Sequence, residues 1–466
     1  MISLWNSIRP VNRLPPEVIA LCTTFVPRTD PRPIVSLTHV CRYWRKAIIS
    51  NPRSWAWIGS GWKRLVPLCL ERAGAVPLTV NIKAREIQED EDFHRALPPH
   101  ASRISHLSLK GYNRIKDVVN DFPGLLDLTM PNLTSLELEQ SIRPTKSDGS
   151  TAPPLFRNLG KLKSLHLTRV SNYPILSNIT SLVELTLEGS TIPFGKFLGI
   201  LESGLALEIV VLDLEFTKGS VPAVPRRKIS LPRLRHLALT SDNATDTRGL
   251  LSCVSLPRGI HITVQGSHSA QRAGLASFLP SPPTHIQKLL TSVTAIKYWD
   301  NPRRLHLSND NGTFHFHGPS HETSTAVYEE FELFATDIVR EFHLNLSLNH
   351  PTNHLSRLLE RLPALEVLTI SGNPLNFRTL SVLAEEPVLC PSLKTIAFFK
   401  FRTTRELIWE LRNVLVKRER SIAARLHRVV IIDDTFDLPD MISIRQLRKS
   451  VQRVDVVVGD KLPDLL

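Results

Sequence analysis

An apolar-x-x-apolar-x-apolar signature recurs along the chain. It falls at Ile104/Leu107/Leu109, Leu133/Leu136/Leu138, Leu162/Leu165/Leu167, Leu182/Leu185/Leu187, Ile209/Leu212/Leu214 and Leu234/Leu237/Leu239. It returns at Leu365/Leu368/Ile370, Leu393/Ile396/Phe398, Leu426/Val429/Ile431 and Val451/Val454/Val456. Successive starts lie 29, 29, 20, 27 and 25 residues apart in the first set and 28, 33 and 25 in the second, the period of a leucine-rich repeat with loop insertions. Pro131, Pro232, Pro363 and Pro391 each stand two residues before the first apolar position and fix the turn into the strand. Between strands lie stripes of helical spacing, Leu355/Leu358/Leu359/Leu362 and Leu407/Ile408/Leu411/Val414/Leu415, the latter with Thr404 as a cap. Strand then helix, repeated, predicts a parallel sheet lined by outer helices. In the middle, candidate strands are 260–264, 293–298, 304–307 and 342–348, and Pro/Ser-rich loops are expected near 141–154, 219–228 and 266–283.

The first sixty residues carry a different period. Ile34, Leu37, Val40, Cys41, Trp44, Ala47 and Ile48 make one amphipathic stripe, predicting a helix over 34–49 that opens at Asp30-Pro31 and ends at Asn51-Pro52. A shorter helix is expected over 16–26, with Val18, Leu21, Cys22 and Phe25 on one face. Helices this short cannot bury Trp44, Trp55, Trp57 and Trp62 alone, so an adhesive outer face is expected.

The residues Leu14-Pro15-Pro16-Glu17-Val18-Ile19, then Phe25-Val26, Val35-Ser36-Leu37, Val40-Cys41-Arg42-Tyr43-Trp44-Arg45 and Asn51-Pro52-Arg53-Ser54-Trp55, resemble an F-box motif over residues 12–58. The likeness is to the F-box families common in mushroom-forming fungi. It implies a three-helix module that docks on the Skp-type adaptor of a cullin-RING ubiquitin ligase. On that resemblance Leu14 and Pro15 open the interface, Ile19, Phe25 and Val26 supply its first part, and Val40, Cys41, Trp44 and Trp55 the rest. Cys22-Thr23 stands where the family carries a large aliphatic followed by an aromatic, a departure that weakens the adaptor contact unless Phe25 compensates.

The expected architecture is therefore α/β: an F-box-like helical module at 1–60, a linker and solenoid cap at 61–100 including the acidic run 86–92, and an irregular leucine-rich-repeat-like solenoid with parallel strands and outer helices at 101–466. Residues alternating with the pattern leucines face the concave side. There Glu137, Glu139, Glu184, Glu188, Asp213 and Glu215 form an acidic stretch, and Phe399, Val430 and Ile432 an apolar one, together a candidate surface for a protein target. The alternative is a solvated strand face whose apolar end is covered by the tail 459–466.

Composition narrows the classes. A hydrophobic fraction of 42% with 22% charge argues against wholesale disorder and against a membrane protein. Residues 1–16 are broken by Asn6, Arg9, Pro10, Asn12 and Arg13 and lack a signal-peptide core, so a cytoplasmic or nuclear location is expected. The five scattered cysteines suggest neither a disulfide framework nor a thiolate zinc site. The net charge of +13 favours acidic partners or nucleic acid. The basic residues of 399–428 read as a solvated helix face, since no aromatics interleave for base stacking, and nucleic acid is not the expected partner.

His315-Phe316-His317 with His306 and His321 resembles a metal set only in part. No carboxylate or cysteine completes it, and beside Asn309-Asp310-Asn311-Gly312 the residues read as an exposed hairpin; His343, His350 and His354 read the same way. No phosphate loop, nucleophile elbow or His-Glu-x-x-His motif is present, so no catalytic residue, cofactor or metal is expected. The function expected is a non-catalytic substrate receptor; the alternative is a leucine-rich interaction scaffold without a ligase role.

Overall fold

The computed structural model describes residues 10–26, 32–83, 91–111, 128–140, 159–170, 179–216, 228–266, 274–280, 285–299, 304–310, 312–318, 331, 333–345, 352–371, 380, 382–384, 388–399, 405–420, 426–433, 445, 447–448 and 450–458. It is a mixed α/β protein with a large, mostly parallel sheet, and it divides into two units, Met1–Val221 and Pro222–Leu466.

The first unit begins with α1 (Pro16–Cys22), α2 (Arg32–Thr38), α3 (Arg42–Ile49) and α4 (Pro52–Trp55). The single helix expected over 34–49 is thus two. Thr38 turns its hydroxyl back onto the Val35 carbonyl at 2.6 Å, and Arg45 Nε donates to the Thr38 carbonyl at 3.0 Å, closing the end of α2. Cys41 is extended, with φ −160° and ψ 172°, and the chain restarts as α3. The helix expected over 16–26 likewise tightens into a 3₁₀ turn at Thr23–Phe25. Asp30 and Pro31 lie outside the described residues.

Strands β1 (Trp57–Gly59), β2 (Leu78–Lys83), β3 (Ile104–Gly111), β4 (Ser135–Gln140), β5 (Ser164–Thr168), β6 (Glu184–Ile192) and β7 (Ile209–Phe216) pair in that order, all parallel. The sheet therefore starts before residue 101, with β1 at the end of the segment expected to be all-helical and β2 inside the one expected to be a linker and cap. Helices α5 (Val66–Arg72), α6 (Glu91–Ala96) and α7 (Phe194–Ser203) accompany it; α6 begins within the acidic run and buries Phe93.

The second unit holds β8 (Ile229–Ser230), β9 (His236–Ser241), β10 (Val254–Ser255), β11 (Ile260–Gly266), β12 (Ala295–Trp299), β13 (Arg304–Asn309), β14 (Gly312–His317), β15 (Glu341–Asn345), β16 (Val367–Ser371), β17 (Thr395–Phe399), β18 (Arg428–Asp433) and β19 (Arg453–Val458). Short β8 pairs with β10. The others follow the order β9-β11-β14-β13-β12-β15-β16-β17-β18-β19, parallel except at β13, which is antiparallel to both neighbours. Helices α8 (Ala244–Cys253), α9 (Leu275–Phe278), α10 (His285–Leu290), α11 (Thr352–Glu360) and α12 (Arg405–Glu419) alternate with these strands.

The same backbone device leads into successive parallel strands. Lys163 N–H bonds the Thr134 carbonyl at 2.8 Å and Glu208 N–H the Val183 carbonyl at 2.8 Å; in the second unit Glu366 bonds Arg340 and Lys394 bonds Glu366, both at 2.8 Å. The pattern leucines and isoleucines of the strands, from Ile104, Leu107 and Leu109 to Leu393, Ile396 and Phe398, are buried, which places the core on the side of the sheet that they face, except in the triplet expected at Ile209/Leu212/Leu214: Ile209 is exposed, the side chain of Leu214 lies outside the described residues, and the buried positions are Leu207, Val210 and Leu212, the last two paired with Leu185 and Leu187. Among the described residues no helix is long and apolar enough to cross a membrane.

Candidate functional site

In the N-terminal helices Ile19, Ile34, Ala47, Ile48 and Trp55 are buried and hold the helices together. Trp55 donates its indole N–H to the Ile48 carbonyl at 2.9 Å, and the Arg72 guanidinium covers its ring at 4.5 Å. Two of the residues assigned to adaptor contact by resemblance, Ile19 and Trp55, are thus core side chains, turned inward because each is the apolar anchor of its own helix. Thr23 is buried as well: its hydroxyl donates to the Ala20 carbonyl at 2.6 Å and lies 2.9 Å from the Ser54 hydroxyl. The position where the family's aromatic is missing is therefore a satisfied internal polar contact, whereas Cys22 is exposed.

The remaining assigned residues are partly or largely open. Phe25 is 81% exposed and Val40 54%, and Pro15 is also exposed, while Leu14, Val26, Cys41 and Trp44 are half-buried. Val18 and Leu21, placed on one face with Phe25 by the sequence but not assigned to the adaptor contact, are exposed as well, Leu21 at 56%, and continue the open stripe toward Phe25 at spacings of three and four residues. The Tyr43 hydroxyl donates to the Leu14 carbonyl at 2.7 Å and ties α3 to the start of α1.

On the strand face of the first unit the acidic stretch is partly neutralised. Lys110 Nζ reaches Glu137 at 3.2 Å and Glu139 at 2.9 Å. Burial works against ionising Glu137, but the Ser108 hydroxyl, the Lys110 ammonium and His166 together outweigh it and leave the carboxyl below its ordinary range. His166 approaches Glu188 at 3.7 Å, and Ser164 donates to Glu184 at 3.0 Å. Asp213 is half-buried on β7, and the side chain of Glu215 lies outside the described residues.

The apolar end differs from expectation. Val430 and Ile432 are buried and form a cluster with Ala397, against which Phe399 and Val457 pack. They are not an open anchor for a target, because both faces of β18 are withdrawn from solvent: Val429 and Ile431 are buried on the other side.

In the second unit one face of the sheet carries a row of rings. His236 stacks on His261 at 4.9 Å between centroids, His261 meets His315 edge-on at 4.4 Å, and His315 stacks on His306 at 3.8 Å. Trp299 lies 4.6 Å from His306 and 5.7 Å from His343. Burial, reinforced by the neighbouring imidazoles and Lys297, pushes His306 down to about 3 and His315 to about 4. Burial and Lys297 bring His343 to about 4. These side chains are half-buried, not the exposed hairpin residues expected; β13 and β14 are interior strands between β12 and β11, so their flanks are covered. His321, His350 and the side chain of His354 lie outside the described residues.

No protein-family model matches the chain, and no curated protein matches it.

Proposed function

We propose that the chain is a substrate receptor of a cullin-RING ubiquitin ligase, its N-terminal helices an F-box-like module and its parallel strands and helices a leucine-rich-repeat-like solenoid. The observation that carries this reading is the open apolar stripe of Val18, Leu21 and Phe25, with Val40, on the segment whose residues resemble the F-box. A short helical module leaves such side chains in water only at a cost, which association with a partner removes. The partner proposed is a Skp-type adaptor. The chain itself performs no transfer in this reading; it holds a protein target near the conjugating enzyme, making attack effectively intramolecular.

The target surface of this proposal is the strand face around Glu184, Glu188 and Asp213, since the apolar cluster at Val430 is closed. The second reading, an interaction scaffold without a ligase role, draws on Thr23, a small polar residue engaged internally where the resemblance calls for an aromatic. Calorimetric titration of the intact chain with a purified Skp-type adaptor separates the two. Binding that is lost in Phe25→Asp supports the receptor; an intact chain that does not bind leaves the scaffold.

A further inference from the structure

We propose that His306, His315 and His317 form a three-imidazole site for a divalent transition-metal ion of the zinc class, with the fourth coordination position open to water. The antiparallel strand β13 creates the juxtaposition. Its register sets His306 directly across from His315, while His315 and His317, two residues apart on β14, share a face. The three residues each offer a ring nitrogen, and these ligand atoms all lie within 4.8 Å of one another. A tetrahedral ion with bonds of about 2.0 Å needs its donors about 3.3 Å apart. His306 is near-parallel to His315 and to His317, with interplanar angles of 5° and 12° and centroids 3.8 and 5.9 Å away, so binding an ion requires the rings to rotate out of this stack until their in-plane lone pairs converge on one centre.

A second observation separates these rings from the rest of the row. His261 shares a hydrogen bond with the Thr313 hydroxyl and contacts Thr263, and His343 Nε2 lies 3.0 Å from the Ser371 hydroxyl. In contrast, Nε2 of His306 and Nε2 of His317 are both buried without any hydrogen-bond partner. Two adjacent orphaned nitrogens in one cluster are costly, and a bound ion satisfies them together. The donor set is all imidazole, with neither thiolate nor carboxylate, which suits zinc, copper or nickel and not calcium or magnesium. Lys297 lies across from His306 and Arg304 across from His317, but both side chains are exposed and their charges are screened by solvent.

The test uses the intact chain and Co²⁺ as the spectroscopic probe, with Zn²⁺ as competitor. The expected result is one equivalent of Co²⁺ taken up with visible d–d absorption, no sulfur-to-cobalt charge-transfer band, and displacement by Zn²⁺. His306→Ala and His317→Ala should each weaken binding by about tenfold or more, whereas His343→Gln stays within about twofold. Circular dichroism checks that each variant folds, and the intact-chain spectrum stands whether or not a variant does. Absence of stoichiometric uptake by the intact chain, a thiolate band, or unchanged affinity in the folded His306→Ala and His317→Ala chains would overturn the proposal.

Discussion

Arg418 is fully buried, although it belongs to a helix whose basic residues read from sequence as a solvated face. Its guanidinium donates to the carbonyls of Leu383 at 3.1 Å, Leu389 at 2.8 Å and Cys390 at 2.8 Å, and so fastens α12 to the segment leading into β17. Removing the side chain strands three buried acceptors at once. Arg418→Ala is expected to lower stability by about 3 kcal/mol or more, read from the urea midpoint; a loss within about 0.5 kcal/mol would show the contacts to be incidental. His343 offers a second test at this scale. Its folded value of about 4 lies below the ordinary 6.5, so between pH 7 and pH 5 the unfolded chain binds a proton that the folded chain refuses. Stability therefore falls as pH drops through that window. His343→Gln should flatten the slope by up to about one proton, roughly 1.4 kcal/mol per pH unit at most, in urea melts taken across the range.

At the scale of elements, the β13–β14 hairpin shows what sequence pattern conveys and what it omits. Gly312 has φ +141° and pairs with Ile260 of β11, and a Cβ there would sit 2.3 Å from the Ile260 carbonyl oxygen. Gly312→Ala should cost about 2 kcal/mol or more by denaturant titration, because strain and a backbone clash coincide; a neutral result would mean that β14 does not approach β11 this closely. Leu305, Leu307, Phe314 and Phe316 alternate as half-buried strands do, a mark that the reading of an exposed hairpin passed over, and alternation by itself is blind to direction. The turn at 309–312, read as a hairpin from the sequence, carried that direction, and it also fixes the register. Counting three residues back from Asn309 and three forward from Gly312 puts His306 opposite His315, as observed. The buried face of the repeats was legible for a simpler reason, since Leu-x-x-Leu-x-Leu states period and face together. In β18 the unbroken run Val429-Val430-Ile431-Ile432 carried the mark of a strand covered on both sides, which a reading limited to alternation passed over. The break between α2 and α3 was hidden because Thr38 and Arg45 end the helix through side-chain bonds without disturbing the apolar stripe.

At the scale of the whole molecule, two surfaces carry the proposed function, one for the adaptor and one for the target. Electrostatic recognition by Glu184, Glu188 and Asp213 implies a salt-sensitive association rate. Reversing Glu184 and Glu188 to lysine should slow association with a basic target peptide and flatten its dependence on ionic strength, measured by stopped-flow; rates and salt slope unchanged would remove the strand face from the account. The adaptor surface is the more decisive of the two, since the receptor reading stands or falls with it. The most direct measurement is the affinity of the intact chain for a purified Skp-type adaptor beside Phe25→Asp and Val40→Asp, both exposed positions whose replacement leaves the core packing in place. The account predicts saturable binding that each substitution weakens by at least about tenfold, some 1.4 kcal/mol. Binding that ignores both substitutions, or no binding by the folded intact chain, would contradict it.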